Sequence, residues 1–436
     1  MDVKSFNELL AQGEIDREDM WPHLAEMKSR VVQFRFEFGL EELPLEPGLI
    51  TIRGPRQYGK STWLEMHLKK SIQDYGRGSA FYLNGDELAS PEDLVREIEN
   101  LEASYSPDAK VKRLFIDEIT AVTGWERGIK RVIDQGLLRN ILVITTGSKA
   151  SDLRRGSEKL PGRKGRLKKS EFLFLPISYR EFHRLCGHKL GEKSWIAYLL
   201  TGGSPLACND IYESEHLPEY FIQLIRDWVM GEVVASGRSR VALTQILPIL
   251  FRGGGQPIGY AKLARESGLA NNTVASGYLE QLSDLLAVLP AWPWDTNAGI
   301  LQIRKRCKFH FINLAVAIAF HPAALRSIDQ FETLTTEMQG MFMEWLVAQE
   351  VWRRSVLAGA DNPEAIGFWG SKDHEIDFVT PNHELIEVKR GRAGPLDFSW
   401  FSKSFPHGHL AVICGTPFQT SHVTGMTLEQ FLLAGG

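Results

Sequence analysis

Gly54-Pro55-Arg56-Gln57-Tyr58-Gly59-Lys60-Ser61, followed by Thr62, sets two glycines, a lysine and a hydroxyl in the spacing G-x-x-x-x-G-K-[ST]. Glycines let successive backbone N–H groups close around phosphate oxygens. A helix beginning at the lysine adds partial positive charge, the Lys60 ammonium reaches the outer phosphates, and the Ser61 hydroxyl can ligate Mg²⁺. Such a loop needs an acidic partner at the tip of a neighbouring apolar strand, and Leu114-Phe115-Ile116-Asp117-Glu118 supplies one. Asp117 would hold Mg²⁺, directly or through water, while Glu118 would orient and deprotonate an attacking water; an ordinary helix N-terminus is the plainer reading of the two acids. A fourth apolar run ends in Thr145-Thr146-Gly147-Ser148, where the Ser148 side chain is placed to sense a terminal phosphate, although hydroxyls at strand ends also serve simply as turn residues. Arg163, with Arg166, is a candidate for a charge-neutralising arginine from the same or a neighbouring subunit. A solvated basic loop, or a contact to a nucleic-acid backbone, fits those arginines equally.

A second group lies near the C-terminus, where Glu375-Ile376-Asp377-Phe378 precedes Glu384-Leu385-Ile386-Glu387-Val388-Lys389. Side chains alternate faces along a strand, so Glu387 and Lys389 point one way while Ile386 and Val388 enter the core. Asp377, from an adjacent strand, can converge with Glu387 on a hard divalent cation, with Lys389 beside the attacking water or the scissile phosphate. Glu344 stands at helical spacing from Met341 and Ala348, on a helix able to face the same sheet. This is the arrangement of a metal-dependent phosphodiesterase; cross-strand ion pairing accounts for the same residues on their own.

The elements that must carry these residues can be read from the pattern. Around the first group, strands at 49–53, 79–83, 113–116 and 141–145 alternate with helical stretches, the sign of a doubly wound parallel α/β sheet. Residues 1–45 mix charged and apolar positions at roughly helical spacing and end on Pro44 and Pro47-Gly48. The ATP-handling domain is expected at 46–175, with a strongly basic loop at 149–169, and a helical lid at 176–240. Two short helical stretches within 258–286, separated by Gly268 and capped by Asn271-Asn272-Thr273, have helix-turn-helix spacing; runs at 286–289 and 308–312 can pair as a wing, giving a winged helix over 241–325. An α+β domain is expected over 337–436.

Composition sets the outer bounds. A chain of 436 residues with 43% hydrophobic and 24% charged residues is a folded protein of two or three domains. A net charge of -4 leaves any grip on nucleic acid to local basic patches. The four cysteines, at 186, 208, 307 and 414, show no close pairing, so neither a zinc knuckle nor a dense disulfide framework is expected. No apolar run approaches the length of a membrane span and the start lacks a leader pattern, so the expected location is the cytoplasm.

The loop 54–62, Phe115-Ile116-Asp117-Glu118-Ile119, Thr146-Gly147-Ser148, Pro161-Gly162-Arg163, Leu175-Pro176-Ile177-Ser178-Tyr179-Arg180-Glu181-Phe182 and Gly202-Gly203-Ser204-Pro205 together resemble the prokaryotic AAA-type ATPases of the archaeal-ATPase group. The likeness spans nearly the whole chain, with Tyr58 in place of a smaller aliphatic residue. It implies a P-loop NTPase sheet that binds ATP and Mg²⁺, then a lid, a winged helix and a restriction-endonuclease-like domain of the PD-(D/E)XK type. By motif match it implies a metal at Asp377 and Glu387 with Lys389 catalytic. The expected function is an ATPase coupled to a metal-dependent nuclease acting on nucleic acid, with DNA as the expected substrate and a homo-oligomer as the expected assembly. The alternative is an ATPase switch whose last domain binds DNA or a protein without cutting, and a third reading makes the winged helix a protein-interaction module.

Overall fold

The computed structural model describes residues 1–147, 150–160, 162–163, 165–360 and 362–434. The chain divides into two compact units, Met1–Leu175 and Pro176–Gly436.

Among the described residues the first unit is built on five strands, β1 (Gly48–Arg53), β2 (Ala80–Asn84), β3 (Lys112–Asp117), β4 (Ile141–Gly147) and β5 (Glu171–Leu173). All pair in parallel, in the order β2-β3-β4-β1-β5. Continuous apolar runs such as Leu114-Phe115-Ile116 suit strands covered on both faces. The crossover helices Lys60–Tyr75, Pro91–Glu102 and Trp125–Asp134 supply that cover. The expected doubly wound parallel sheet is present. Its order sets β4 between β1 and β3, so the segments leaving all three strands emerge side by side at the carboxyl edge.

The edge strand β2 is covered by the helix Val3–Gln12. Asn7 presents its side-chain amide to Tyr82 as a peptide would: Nδ2 donates to the Tyr82 carbonyl at 2.7 Å and Oδ1 accepts the Tyr82 N–H at 2.9 Å. The helical segment expected over 1–45 needs correction. Helices occupy Val3–Gln12 and Pro22–Ser29, with one 3-10 turn between them, and residues 31–47 form neither helix nor strand. Val32, Phe34, Phe38 and Leu40 are buried while 31, 33, 35, 37 and 39 are exposed. That period of two is incompatible with one helix face. Phe38 packs 5.3 Å from Trp63 and 4.7 Å from Phe174, between ring centroids.

The second unit starts with the helices Tyr179–Leu190, Ser194–Thr201, Pro205–Ser214 and Glu219–Ala235. Next come Arg240–Arg252, Tyr260–Glu266 and Asn272–Asp284, the last capped by Asn271 through Val274 N–H at 3.0 Å. Among the described residues nine strands follow: β6 (Val288–Asp295), β7 (Ile300–Leu301), β8 (Lys308–Phe311), β9 (Gly367–Gly370), β10 (Glu375–Val379), β11 (Leu385–Val388), β12 (Leu410–Ile413), β13 (Phe418–Gln419) and β14 (Val423–Met426). Their order is β13-β14-β12-β11-β10-β9-β6-β7, with β8 on β6.

Here the structure departs from the separate blocks expected over 241–325 and 337–436. The first half of β6 pairs with β8, and its second half runs parallel to β9, with Trp292 opposite Gly367. One sheet therefore passes through both blocks. An eight-residue strand is long enough to serve two sets of neighbours, and Gly367 permits the approach, since a Cβ there would lie 2.6 Å from Leu301 Cδ2. The helix Thr336–Leu357 contacts β8 and β11, and the core beneath the sheet is formed by Ile376, Val379, Leu385, Phe401, Leu410 and Val412.

Candidate functional site

The loop 54–59 joins β1 to the sixteen-residue helix Lys60–Tyr75. Two residues take left-handed backbone, Gln57 at φ 63° and Gly59 at φ 97°. Gly59 also lies under the half-buried Phe36 ring, which a Cβ would meet at 2.6 Å. Gly54 is equally constrained, a Cβ there lying 2.7 Å from Phe174 Cβ. Lys60 is buried to 6% exposure, and its Nζ donates to the carbonyls of Gly54 at 3.0 Å and Pro55 at 2.7 Å, arching back over its own loop. Arg56 and Gln57 are exposed, Ser61 and Thr62 are half-buried at the helix start, and Tyr58 is buried to 1%. The Tyr58 side chain is thus a core residue, and the loop's contribution there is its backbone.

Across the carboxyl edge, Asp117 ends β3 and is buried. Its Oδ1 accepts the Glu118 N–H at 3.1 Å and a hydrogen bond from the Thr146 hydroxyl. Among the described residues, Oδ2 carries no hydrogen bond. Thr146 Oγ1 also accepts the Glu118 N–H, at 3.2 Å. Glu118 itself is left-handed at φ 47°, an uncommon conformation for a side-chain-bearing residue and a mark of an enforced turn. What enforces it is close packing: a Cβ on Gly85 would lie 2.2 Å from the Glu118 carbonyl oxygen, and one on Gly147 would lie 2.7 Å from Thr120 Cγ2. Thr146 was missed by sequence reasoning, which singled out Ser148 from the same run. The signal that would have found it is register: Thr146 lies opposite Ile52 on β1 while its neighbour Thr145 lies opposite Ile116 on β3, so position 146 is level with the Asp117 tip. Ser148 lies outside the described residues.

These residues fit a nucleotide with a divalent ion. A lysine and a hydroxyl stand at the start of a long helix, and a carboxylate with a spare oxygen sits two strands away, roughly 10 Å at ordinary strand spacing. Arg163 does not fit as a same-chain partner of that loop. Gly165 bridges to Gly48, the first residue of β1, and Arg163 Nε donates to Asp134 Oδ1 at 2.8 Å at the end of the helix before β4. That is the amino edge of the sheet, roughly 16 Å of strand from the phosphate loop.

In the second unit, the expected carboxylates do come together. The Asp377 N–H donates to Glu387 Oε2 at 3.1 Å, the Val388 N–H donates to Asp377 Oδ2 at 2.9 Å, and Lys389 Nζ pairs with Glu387 Oε1. Glu344, from the helix Thr336–Leu357, joins them beside His310, whose Nδ1 is 3.5 Å from Glu344 Oε1. Two residues that sequence reasoning had assigned to a wing strand complete the group. Lys308 is fully buried on β8, with Nζ paired to Glu375 and 3.3 Å from Asp377 Oδ1; His310, two residues on, shares its face. The signal was available as Lys-x-His within an apolar strand, a pattern a solvent-exposed wing does not need.

Burial dominates the electrostatics of this cluster. It pushes the Glu344 carboxyl up to about 8, with the Asp377 charge adding to the effect and Lys308 opposing it. It also pushes Glu387 up to about 8, again helped by Asp377 and moderated by Lys389. His310 is driven down to about 3 by burial and then by the Lys308 charge, and is therefore a neutral imidazole. Among the described residues, no three His, Cys, Asp or Glu side chains are arranged to hold a metal ion. The donor set of Asp377 and Glu387 does not fit a divalent cation as it stands, because their oxygens already face two ammonium groups and two backbone N–H donors.

The sheet order, the lysine loop and the strand-end carboxylates define a P-loop NTPase. Residues 46–183 match the family model described as an AAA domain. The chain is 25% identical over 371 residues to an uncharacterized protein of Methanocaldococcus jannaschii, covering 80% of this chain and 76% of the relative. Among solved structures it is similar to a Walker-type ATPase of Pyrococcus abyssi, at 16% identity and a TM-score of 0.41, over 70% of this chain and 96% of that one. It is also similar to the Orc1 protein of Aeropyrum pernix in complex with DNA, at 13% identity and a TM-score of 0.32, over 73% and 91%. All four cysteines are free and buried. Among the described residues, no helix is long and apolar enough to cross a membrane.

Proposed function

We propose that this protein binds ATP with Mg²⁺ at residues 54–62, hydrolyses it with Glu118 as the base, and uses the cycle to act on nucleic acid held by its second unit. The observation that carries the catalytic half is the Thr146–Asp117–Glu118 array at the same sheet edge as Lys60. Ser61 and Asp117 would hold the ion, which when bound neutralises charge building on the phosphates. Lys60 orients the outer phosphates, and the Glu118 carboxylate takes the proton of the attacking water. Lys60→Ala is expected to lose nucleotide binding in a fluorescent-nucleotide titration, whereas Glu118→Gln keeps binding and loses turnover. Normal turnover in Glu118→Gln would remove it as the base.

The nucleic-acid half is supported by the turn between β7 and β8, where Ile303, Arg304, Lys305 and Arg306 are all exposed. We read the helices Tyr260–Glu266 and Asn272–Asp284 with β6 and β8 as a winged helix whose wing is this turn. Its second helix has no basic residue, so the grip would be on the phosphate backbone and tolerant of sequence. A homo-oligomer is the setting in which Arg163 could serve a nucleotide, that of a neighbouring copy.

The geometry favours binding without cleavage. Cleavage at Asp377, Glu387 and Lys389 with Glu344 is the second reading, favoured by the convergence of these four. Incubating DNA and RNA with the chain, Mg²⁺ or Mn²⁺ and ATP separates the two: scission lost in Lys389→Ala would establish cleavage.

A further inference from the structure

We infer that Lys308 is the resident cation of the late carboxylate cluster, standing where a divalent ion would otherwise sit between Asp377 and its neighbours, so that the cluster is a built-in charge lock and not a metal centre. The inference does not rest on the nucleotide site or on nucleic-acid binding.

The lysine is fixed by its strand. Ala291 on β6 lies opposite Lys308 in the antiparallel pair, and all four residues of β8 are buried. Period-two geometry sends Phe309 and Phe311 to one face, where Phe311 stacks 5.0 Å from Phe251, and sends Lys308 and His310 to the other. On that face Lys308 Nζ meets Glu375 and Asp377, and lies 5.2 Å from the centre of the Phe368 ring. A buried ammonium is tolerated only when paired and hydrogen-bonded, and these two carboxylates are what pair it.

The remaining oxygens of Asp377 and Glu387 are committed as well. Asp377 Oδ2 accepts the Val388 N–H, Glu387 Oε2 accepts the Asp377 N–H, and Glu387 Oε1 pairs with Lys389. An ion entering between Asp377 and Glu387 would face a like-charged ammonium 3.3 Å from Asp377. Expelling that ammonium would require the β8 end of the β6 pair to open, because the side chain has no exposed surface through which to swing out. His310 stands beside it on the same face, fully buried, with Nδ1 3.5 Å from Glu344 Oε1 and, among the described residues, no hydrogen bond on either ring nitrogen. The consequence is a polar bolt from β8 to β10 through the sheet that joins the two blocks of the second unit.

The test counts bound Mn²⁺ by electron paramagnetic resonance on the full-length, nucleotide-free chain carrying Ser61→Ala, so that the first site does not contribute. At concentrations up to about 100 μM, this chain and its Asp377→Asn derivative are expected to bind the same amount of Mn²⁺. Lys308→Met keeps the aliphatic stem and removes the charge; it is expected to gain one Mn²⁺ per chain, at least tenfold tighter than before, and to lose it when combined with Asp377→Asn. One Mn²⁺ per chain in the parent, removed by Asp377→Asn or Glu387→Gln, overturns the inference. So does a folded Lys308→Met chain that gains no Mn²⁺. If Lys308→Met does not fold, the comparison of parent with Asp377→Asn decides alone.

Discussion

Thr146 on β4 and Asp117 on β3 are joined by a hydrogen bond across the strand ends, and the same threonine oxygen receives the Glu118 amide at 3.2 Å. One hydroxyl therefore aims both acids of the nucleotide site. Thr146→Val conserves shape and deletes the hydroxyl. Turnover is expected to fall about 10- to 100-fold, from misplacement of the reacting groups, while nucleotide affinity changes little. Thr146→Ser should recover most of the rate. Steady-state ATPase assays beside a nucleotide titration check this, and an unaltered rate in the valine variant would show that Asp117 needs no such support.

Gly85 is set against the Glu118 backbone closely enough that a methyl group would lie 2.2 Å from the carbonyl oxygen. Backbone cannot yield as a flexible side chain does. Gly85→Ala should cost about 1–3 kcal/mol in denaturant unfolding and depress turnover by moving the left-handed Glu118 turn. Loss of stability with the rate intact would mean that the strain relaxes away from the site.

Arg304, Lys305 and Arg306 project from one exposed turn. Replacing all three with alanine should weaken binding to duplex DNA of any sequence and reduce the slope of log affinity against log salt by about 2–3, near one unit per lost phosphate contact. ATP hydrolysis measured without DNA should be untouched. A slope equal to that of the unmodified chain would place the contact elsewhere.

Glu344 and His310 give the second unit opposed responses to pH. Glu344 has a raised folded value of about 8 against an ordinary 4.5, so the fold keeps a proton that the unfolded chain releases, and stability falls as pH rises through that window. His310 has a depressed folded value of about 3 against 6.5, so its contribution is present above 6.5 and is lost on acidification. Between about 4.5 and 6.5 these slopes oppose each other; above 6.5 Glu344 acts together with Glu387, which is raised to the same value, each at up to about 1.4 kcal/mol per pH unit for one proton. Thermal unfolding of Glu344→Gln from pH 6.5 to 8 should be flatter than that of the parent. Parallel curves would mean that Glu344 is already ionised in the fold.

Much of the first unit was legible because its signals are local. A glycine loop between an apolar strand and a helix, and two acids at a strand tip, need only neighbours in sequence to be recognised. The extended segment after Arg30 was also written in the sequence, in the alternation Val32, Phe34, Phe36, Phe38, Leu40, but a helical period was read into it. The second unit was harder. Glu344, Asp377, Glu387 and Lys389 could be named from spacing, yet Lys308 lies 69 residues before Asp377, and nothing local shows that β6 reaches across to β9. Arg163 illustrates the same limit: its type suited a phosphate, and only the Gly48–Gly165 bridge reveals which rim of the sheet it occupies.

The amide of Asn7 acts as a counterfeit peptide unit laid alongside Tyr82. A polypeptide begun after residue 13 would carry the whole phosphate loop and yet leave the margin of its first sheet raw, open to any extended stranger. Such a shortened protein should retain nucleotide while clumping with time and concentration, so its faults would be colloidal before they were enzymatic.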